Sequence, residues 1–176
     1  LTQLPVAISW VEKMGFKIAI RTGYEADDMV ASIAKDAKEK GFEVRIVSHD
    51  KDLYQLIDDA NSVYLFDPTK KQIINEAKCI EKYGVTPKQF IDYQALVGDT
   101  ADNIPGVKGV GAKTAQTLIE QFGTLENIYE NIENIDKKRT KELLLESKEN
   151  AFLSKQLVTL KDDCHFISNI DEFSLP

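Results

Sequence analysis

The sequence predicts an α/β fold in which a mostly parallel sheet is flanked by helices and joined to a helical subdomain. Apolar segments of strand length alternate with amphipathic helical segments as far as residue 74, which is the pattern of an α/β sheet. After that point only helical segments follow, and glycine ends several of them. We therefore divide the chain into an α/β part at residues 1–74 and a helical part at residues 75–176.

The first part opens with a helix and a strand. Apolar residues at helical spacing across residues 1–14 predict a helix that ends at Gly15. Residues 16–20 are apolar and partly alternating, and they predict the first strand. A strong amphipathic stripe over residues 26–37 predicts a helix closed by Gly41, because a glycine commonly follows a helix end.

Two further strands and an edge strand complete the predicted sheet. Residues 42–48 are rich in Val and Ile, and residues 63–66 are largely apolar, so both segments predict strands. Residues 53–57 supply one or two helical turns between them. The turn-forming residues 67–71 allow residues 72–74 to pair back as a short edge strand.

In the helical part, glycines and capping residues mark the element boundaries. Gly84 ends the first helix, Thr86 followed by Pro87 opens the second, and Thr124 caps a short one. The predicted helices lie at residues 77–83, 86–97 and 112–122, directly after residue 124, and at residues 136–148 and 152–160.

Composition and charge favour an intracellular globular protein. The chain is 43% hydrophobic and 29% charged, and no apolar run approaches membrane-spanning length. Its two cysteines are far apart and in no metal-ligand spacing, which favours a reduced, cytoplasmic protein. The net charge of −7 argues against a nucleic-acid partner, since phosphate binding needs a basic surface. That objection weakens if the acidic residues are gathered to bind metal.

Acidic residues are gathered in three clusters at the ends of predicted elements. The first cluster follows the first strand, the second follows the second strand, and the third follows the helix that ends near residue 97. Sites in open α/β sheets form beyond the carboxyl ends of strands, where the first two clusters fall. The clusters comprise Glu25, Asp27 and Asp28; Asp50 and Asp52; and Asp99 and Asp102.

Helix capping and metal binding both explain such clusters. A carboxylate at a helix start accepts free N–H groups and complements the helix dipole, which accounts for any single cluster. If all three converge, charges about 4 Å apart repel by roughly 4 kcal/mol per pair at an effective dielectric near 20. Protons or divalent cations must then neutralise them. Oxygen-only ligands favour Mg²⁺ or Mn²⁺ over zinc, and two such ions support phosphodiester hydrolysis.

A glycine-rich segment at residues 103–115 predicts a tight turn ahead of a helix, an arrangement that offers backbone N–H groups to an anion. Its spacing is close to that of a nucleotide-binding P-loop. However, Ala112 separates the glycines from Lys113, and the segment follows a helix, whereas a P-loop follows a strand. A helix–hairpin–helix at about residues 95–122 that grips a DNA backbone fits better. A merely structural turn is the alternative.

Three motifs occur in a fixed order along the chain. They are Gly-Tyr-Glu-Ala-Asp-Asp at residues 23–28, Asp-Lys-Asp-Leu-Tyr-Gln-Leu at residues 50–56, and the segment of residues 98–115 that contains the hairpin. Together they closely resemble the 5′→3′ exonuclease domain of bacterial DNA polymerase I, within the flap-endonuclease superfamily. The resemblance runs from about residue 1 to residue 158. It implies a Mg²⁺-dependent, structure-specific nuclease that cuts DNA at 5′ flaps, nicks and ends in replication and repair.

The resemblance also implies a role for each motif. Glu25, Asp27 and Asp28 would bind or support one Mg²⁺ or Mn²⁺ ion, and Asp50, Asp52, Asp99 and Asp102 would hold a second. The hairpin would contact the DNA backbone, and in some relatives its carbonyls also bind K⁺. The implied DNA-binding residues are Gly106, Val107, Lys108, Gly109, Gly111, Lys113 and Thr114.

Parts of the family's pattern are not found in this sequence. The family's domain opens with a strand that carries a metal-binding Asp, and continues into a basic helical arch. The resemblance therefore implies a fragment with a partial nuclease core at residues 1–74, a DNA-binding subdomain at residues 75–176, and polymerase domains beyond. The alternatives are a stand-alone 5′ nuclease and a DNA-binding scaffold without chemistry. The presence of all seven carboxylates argues against the scaffold.

Overall fold

A computed structural model describes residues 2–164 and 170–173, and it confirms the predicted α/β fold with its helical subdomain. The predicted helix positions are confirmed with shifts of a few residues at their ends. Within the described residues, no helix has the length and apolar character needed to cross a bilayer. The strands are β1 (Val44–Val47), β2 (Val63–Asp67) and β3 (Gln72–Ile74). The helices are α1 (Leu4–Lys13), α2 (Ala26–Glu39), α3 (Glu76–Tyr83), α4 (Phe90–Val97), α5 (Ala112–Phe122), α6 (Leu125–Glu130), α7 (Lys138–Glu146) and α8 (Lys148–Val158).

The sheet is mixed and has the order β1-β2-β3. Strands β1 and β2 are parallel, with Val44 opposite Val63, and β3 returns antiparallel to β2 with Ile74 opposite Leu65. The predicted edge strand is thereby confirmed. Asp50, the first residue of the second acidic cluster, follows the carboxyl end of β1 after Ser48 and His49.

The strand predicted at residues 16–20 is wrong. This segment has no regular secondary structure, and Phe16 and Ile20 are 48% and 73% exposed. A strand requires a neighbour for its backbone N–H and C=O groups, and none of the three described strands pairs with these residues. The alternation of apolar residues is a local signal, and it could not supply a partner strand.

Helix α2 connects the first acidic cluster to the sheet. Its alanine-rich face is buried, with Ala31, Ala34 and Ala37 at 6% exposure or less. Small side chains allow the helix to lie close to the sheet, and α2 contacts β1 and the turn that follows it. The N-terminal end of α2 is therefore fixed near the carboxyl end of β1.

Helix α4 lies at the centre of the molecule. Phe90 and Leu96 are fully buried, and the helix packs against α8, α5, α6 and the 3-10 turn at residues 52–56. One continuous apolar core extends from the sheet through α4 to α8. The α/β and helical parts therefore share a core, and α4 holds them in a fixed relation.

The chain beyond α8 returns to α2 and adds polar contacts between the two parts. Gln55 donates from Nε2 to Val158 O at 2.9 Å and accepts the N–H of Leu160 at 3.2 Å. The N–H of Cys164 donates to Ser32 Oγ at 3.1 Å. These bonds attach the turn after β1 and the middle of α2 to the same returning segment.

A buried carboxylate on α4 organises its contacts with α6 and α8. Asp92 is 5% exposed, and its Oδ1 accepts the N–H of Leu125 at 3.2 Å and lies 2.7 Å from Lys155 Nζ. The same ammonium also binds Glu126 at 2.7 Å. Asp92 therefore joins the start of α6 to the middle of α8.

Replacing Asp92 by Ala should lower the free energy of unfolding by about 2–4 kcal/mol. The change leaves the buried N–H group of Leu125 without its acceptor and takes the buried carboxylate away from Lys155, whose ammonium keeps only Glu126. Losses of this kind are among the most costly in a protein interior. Glu126→Ala removes the exposed partner of the same lysine and should cost at most about 1 kcal/mol. Urea unfolding of both variants tests this, and equal losses would contradict the assignment.

Candidate metal centre and hairpin

Five of the seven predicted carboxylates act on one another across separate elements and form one electrostatic neighbourhood, while Glu25 and Asp28 add their charges to Asp27 from within its own cluster. The five come from the start of α2, from the loop after β1 and from the loop after α4. Asp27 is influenced by the charges of Asp50 and Asp52, Asp52 is influenced by Asp99, and Asp102 is influenced by both Asp99 and Asp52. Three separate elements therefore direct acidic side chains towards a common region beyond the end of β1.

Aromatic packing positions Asp52 in this region. The 3-10 turn that begins at Asp52 places Tyr54 against Phe90 of α4, with ring centroids 5.5 Å apart. Tyr83 meets the same Phe90 ring edge-on at 4.8 Å. This contact sets the turn beside α4, so that Gln94 Nε2 donates to Asp52 Oδ1 at 2.5 Å.

Burial and like charges raise the pKa values of two carboxyl groups. For Asp27, burial is the largest cause, and the charges of Asp50 and Asp52 add to it. Burial also raises the pKa of Asp52, and this outweighs the opposing hydrogen bond from Gln94. Both shifts mean that the folded protein holds these groups in a position where their negative charge is unfavourable.

Asp99 differs because it has a cation beside it. It is 8% exposed, its Oδ1 accepts the N–H of Ala101 at 2.9 Å, and its Oδ2 forms an ion pair with Lys51 Nζ. The contact with Lys51 lowers the pKa of Asp99. The neighbouring Asp102 shows the opposite direction, since its contact with Asp99 raises its pKa.

Glu25 and Asp28 cap the N-terminal end of α2. Glu25 is its N-cap residue, and Asp28 completes a capping box by accepting the N–H of Glu25 at 3.4 Å. The other oxygen of Asp28 accepts the N–H of Lys161 at 2.9 Å. The capping interpretation therefore describes Asp28, whereas Asp27 beside it belongs with the acidic neighbourhood.

The carboxylate oxygens of this region are suitable ligands for a hard divalent cation, but their side chains are not arranged in a coordination sphere. Across residues 2–164 and 170–173, no group of three or more Asp, Glu, His or Cys side chains is arranged to hold a metal ion. Lys51, Gln94 and the N–H of Ala101 contact oxygens of Asp52 and Asp99 in this structure. Carboxylate oxygens are nevertheless the ligands that Mg²⁺ and Mn²⁺ prefer. The residues that would hold ions are Asp27, Asp50, Asp52, Asp99 and Asp102.

Two residues in this region were not predicted from the sequence. Lys51 lies between Asp50 and Asp52 in the sequence, but no sequence pattern predicts its ion pair with Asp99. Gln94 is a polar residue within the apolar helix α4, and this was a usable signal. It is 4% exposed, and no hydrogen-bond partner for its Oε1 exists among the described residues.

The hairpin after α4 closes through contact between two glycine backbones. A Cβ atom added at Gly106 would lie 2.5 Å from Gly98 N, and both residues have positive φ angles, of 59° and 73°. The N–H of Gly106 donates to Ser154 Oγ at 2.9 Å, and the N–H of Val107 donates to Leu96 O at 2.8 Å. Both N–H groups are thus used inside the protein, and Gly106 and Val107 form the buried base of the hairpin.

The tip of the hairpin and the start of α5 face solvent. The N–H of Ala115 bonds to Gly111 O, so the N–H groups of residues 112–114 precede the first bond within the helix and are oriented towards outside acceptors. Helix dipoles favour anions at this end. Of the predicted DNA-binding residues, Lys108, Gly109, Gly111 and Lys113 are exposed and Thr114 is half-buried.

The fold and the acidic region define a structural class, that of the 5′ nucleases. The pattern described as "5'-3' exonuclease, N-terminal resolvase-like domain" matches residues 1–84, and the pattern described as "5'-3' exonuclease, C-terminal SAM fold" matches residues 85–176. The chain therefore belongs to the 5′-3′ exonuclease family.

Individual relatives agree with this assignment. The chain is 44% identical to DNA polymerase I of Deinococcus radiodurans over 87% of its length, but it covers 16% of that protein. It is 42% identical to a 5′-3′ exonuclease of Buchnera aphidicola over 94% of its length, covering 59% of that protein. A bacteriophage T5 flap endonuclease, solved with DNA and metal ions, matches 97% of this chain with a TM-score of 0.80 and 29% identity. The match covers 60% of that phage protein.

Replacing Asp27 by Asn should stabilise the metal-free protein at neutral pH. Because the pKa of Asp27 is raised, the folded state prefers the protonated form, and stability is lost as the pH rises from the usual carboxyl range through the raised pKa. In EDTA at pH 7, the variant should gain about 0.5–1 kcal/mol after solvent screening is allowed for, and near pH 3 the gain should vanish. Urea melts at the two pH values measure the difference.

Glu149→Gln is the matched control, since Glu149 lies in the first turn of α8 and models a carboxylate that only complements a helix dipole. This variant should lose a few tenths of a kcal/mol at pH 7. If Asp27→Asn shows a similar loss instead of a gain, capping is the role of Asp27 and the repulsion argument is wrong.

Proposed function

We propose that this chain carries the metal-binding and DNA-gripping parts of a structure-specific 5′ nuclease that hydrolyses DNA phosphodiesters at 5′ flaps, nicks and ends. The observation that carries the proposal is the electrostatic coupling of Asp27, Asp50, Asp52, Asp99 and Asp102 across three elements. A structural fold has no need to hold like charges together. Membership of the 5′-3′ exonuclease family supports the same conclusion.

Divalent ions, Mg²⁺ or Mn²⁺ and two in the complete site, would supply charge for water activation and for the leaving oxygen. The likeness to a phage flap endonuclease solved with metal ions and DNA supports a metal requirement. The protein's own contribution is placement. The 3-10 turn and the hydrogen bond from Gln94 hold the Asp52 side chain in position. The N–H of Ala101 holds the Asp99 side chain, and the start of α2 positions Asp27. Glu25 and Asp28 would support the site by fixing that helix start.

The hairpin would grip the DNA backbone without reading bases. Lys108, Gly109, Gly111 and Lys113 present two ammonium groups and an exposed backbone beside the start of α5, which suits phosphate contacts. Thr114 lies in the same turn, and Gly106 and Val107 would shape the hairpin from below. A K⁺ ion bound by hairpin carbonyls belongs to this proposal as a further element of the DNA contact.

The wider context is also proposed from the comparisons. Residues 1–74 would form part of the nuclease core and residues 75–176 the DNA-binding subdomain. The likeness to DNA polymerase I supports a parent protein in which polymerase domains follow, and the Buchnera relative supports a stand-alone nuclease as the second candidate. In either case a DNA substrate would require a cytoplasmic protein associated with the nucleoid.

Cleavage of a 5′-labelled flap duplex with Mg²⁺ tests the function. The chain covers 59% of the length of the Buchnera exonuclease, so we compare it with a version extended at its N-terminus towards that length. We expect slow or undetectable cutting by the 176-residue chain and rapid cutting by the extended version, because hydrolysis needs every metal ligand and an oriented phosphate. EDTA, or Asp50→Asn with Asp52→Asn, should abolish cutting by the extended protein. An extended protein that binds the flap but does not cut it would favour the scaffold alternative.

Replacing Lys113 by Ala should weaken binding of unrelated duplex sequences by a similar factor. The slope of log affinity against log salt should fall by roughly 1, as expected for one lost phosphate contact. Fluorescence anisotropy in EDTA measures both effects without cleavage. Lys40→Ala, at the exposed C-terminal end of α2, is the control and should leave the slope unchanged. A sequence-dependent loss for Lys113→Ala would indicate base contacts instead.

A further inference from the structure

Lys51 places a positive charge inside the acidic neighbourhood. It stands between Asp50 and Asp52 in the sequence, and its ammonium crosses to an ion pair with Asp99 in the loop after α4. The lysine thus joins two of the three acidic clusters.

The two partners of this ion pair are held very differently. The Asp99 side chain is 7% exposed, and its loop is fixed by paired backbone bonds to Ile104 of 2.9 and 2.7 Å. The Lys51 side chain is 40% exposed, and a lysine has four flexible carbons between backbone and charge. When the pair opens, the ammonium can move into solvent while the carboxylate stays in place.

We propose that Lys51 is an internal counter-ion that occupies the Asp99 carboxylate when metal is absent and is displaced by the divalent cation that binds there. This inference rests on the proposed metal site. It accounts for two observations together: the carboxylates lie in one neighbourhood, yet no metal-holding group is assembled among the described residues. The +1 charge of Lys51 offsets part of the repulsion among the carboxylates while metal is absent.

A permanent ion pair is the competing explanation. In that case Lys51 would remain on Asp99 in the presence of metal, and its removal would damage the loop without improving metal binding. The two explanations predict opposite changes in metal affinity. Affinity for the ion, measured apart from cleavage, therefore separates them.

The experiment is Mn²⁺ titration by isothermal calorimetry at pH 7, with thermal melts in EDTA and in Mn²⁺. Lys51→Met removes the ammonium but keeps an unbranched chain, and Lys51→Arg keeps the charge. Lys35→Met is the matched control. Lys35 is also 40% exposed and ion-paired, at 3.1 Å to Asp162, and it lies outside the acidic neighbourhood.

We expect Lys51→Met to bind Mn²⁺ on the order of tenfold more tightly than the parent, because a competing positive charge is gone. It should melt lower in EDTA, where Asp99 loses its partner, and gain more from Mn²⁺ than the parent does. Lys51→Arg and Lys35→Met should bind Mn²⁺ within about twofold of the parent, since each keeps a cation at Asp99.

A double-mutant cycle with Asp99→Asn separates competition for one carboxylate from general charge repulsion. If Lys51 competes with the ion for Asp99, Lys51→Met should have little effect on Mn²⁺ affinity in the Asp99→Asn background. The double variant also leaves neither residue as an unpaired charge. An equal gain in both backgrounds overturns the proposal, as does unchanged or weaker binding by Lys51→Met alone. Absence of Mn²⁺ binding in every variant overturns the metal site itself.

Discussion

Repulsion among five carboxylates is the constraint on which the rest of this structure depends. The charges of Asp50, Asp52 and Asp99 help to raise the pKa values of Asp27, Asp52 and Asp102, and like charges held this close cost free energy in the folded state. Other contacts in the folded state must therefore offset this repulsion and hold the loops that carry these carboxylates. Core packing around α4, the capping box of α2 and the cation of Lys51 each contribute to that balance.

Helix α4 links stability to the site. Its buried Phe90 holds the turn that carries Asp52, its Gln94 donates to that carboxylate, and its C-terminal end leads into Asp99. On its other side, Asp92 ties α6 and α8 to the same helix. Small movements of α4 would thus alter both the spacing of the carboxylates and the base of the hairpin. The central position of this helix explains why an eight-residue element connects two functions.

The net charge of −7 is compatible with a DNA partner because the charges are segregated. Carboxylates gather beyond the end of β1, whereas Lys108 and Lys113 stand exposed on the hairpin at the other end of the loop that carries Asp99. An acidic region of this kind attracts cations, and a basic hairpin attracts phosphate. One loop therefore carries both a part of the acidic region and the basic hairpin.

The sequence by itself determined the helices, the two strands β1 and β2 with the edge strand β3, and the residue types of the candidate site. The periodic spacing of apolar residues and the glycines at helix ends are local signals, and they located α2, α5 and the hairpin correctly. They failed at residues 16–20, because a strand depends on a partner that local pattern does not provide. Only the tertiary structure decided that Asp28 caps a helix while Asp27 faces the other carboxylates, and that Lys51 reaches Asp99. Those outcomes depend on distances between residues far apart in the chain, which packing of the whole fold sets.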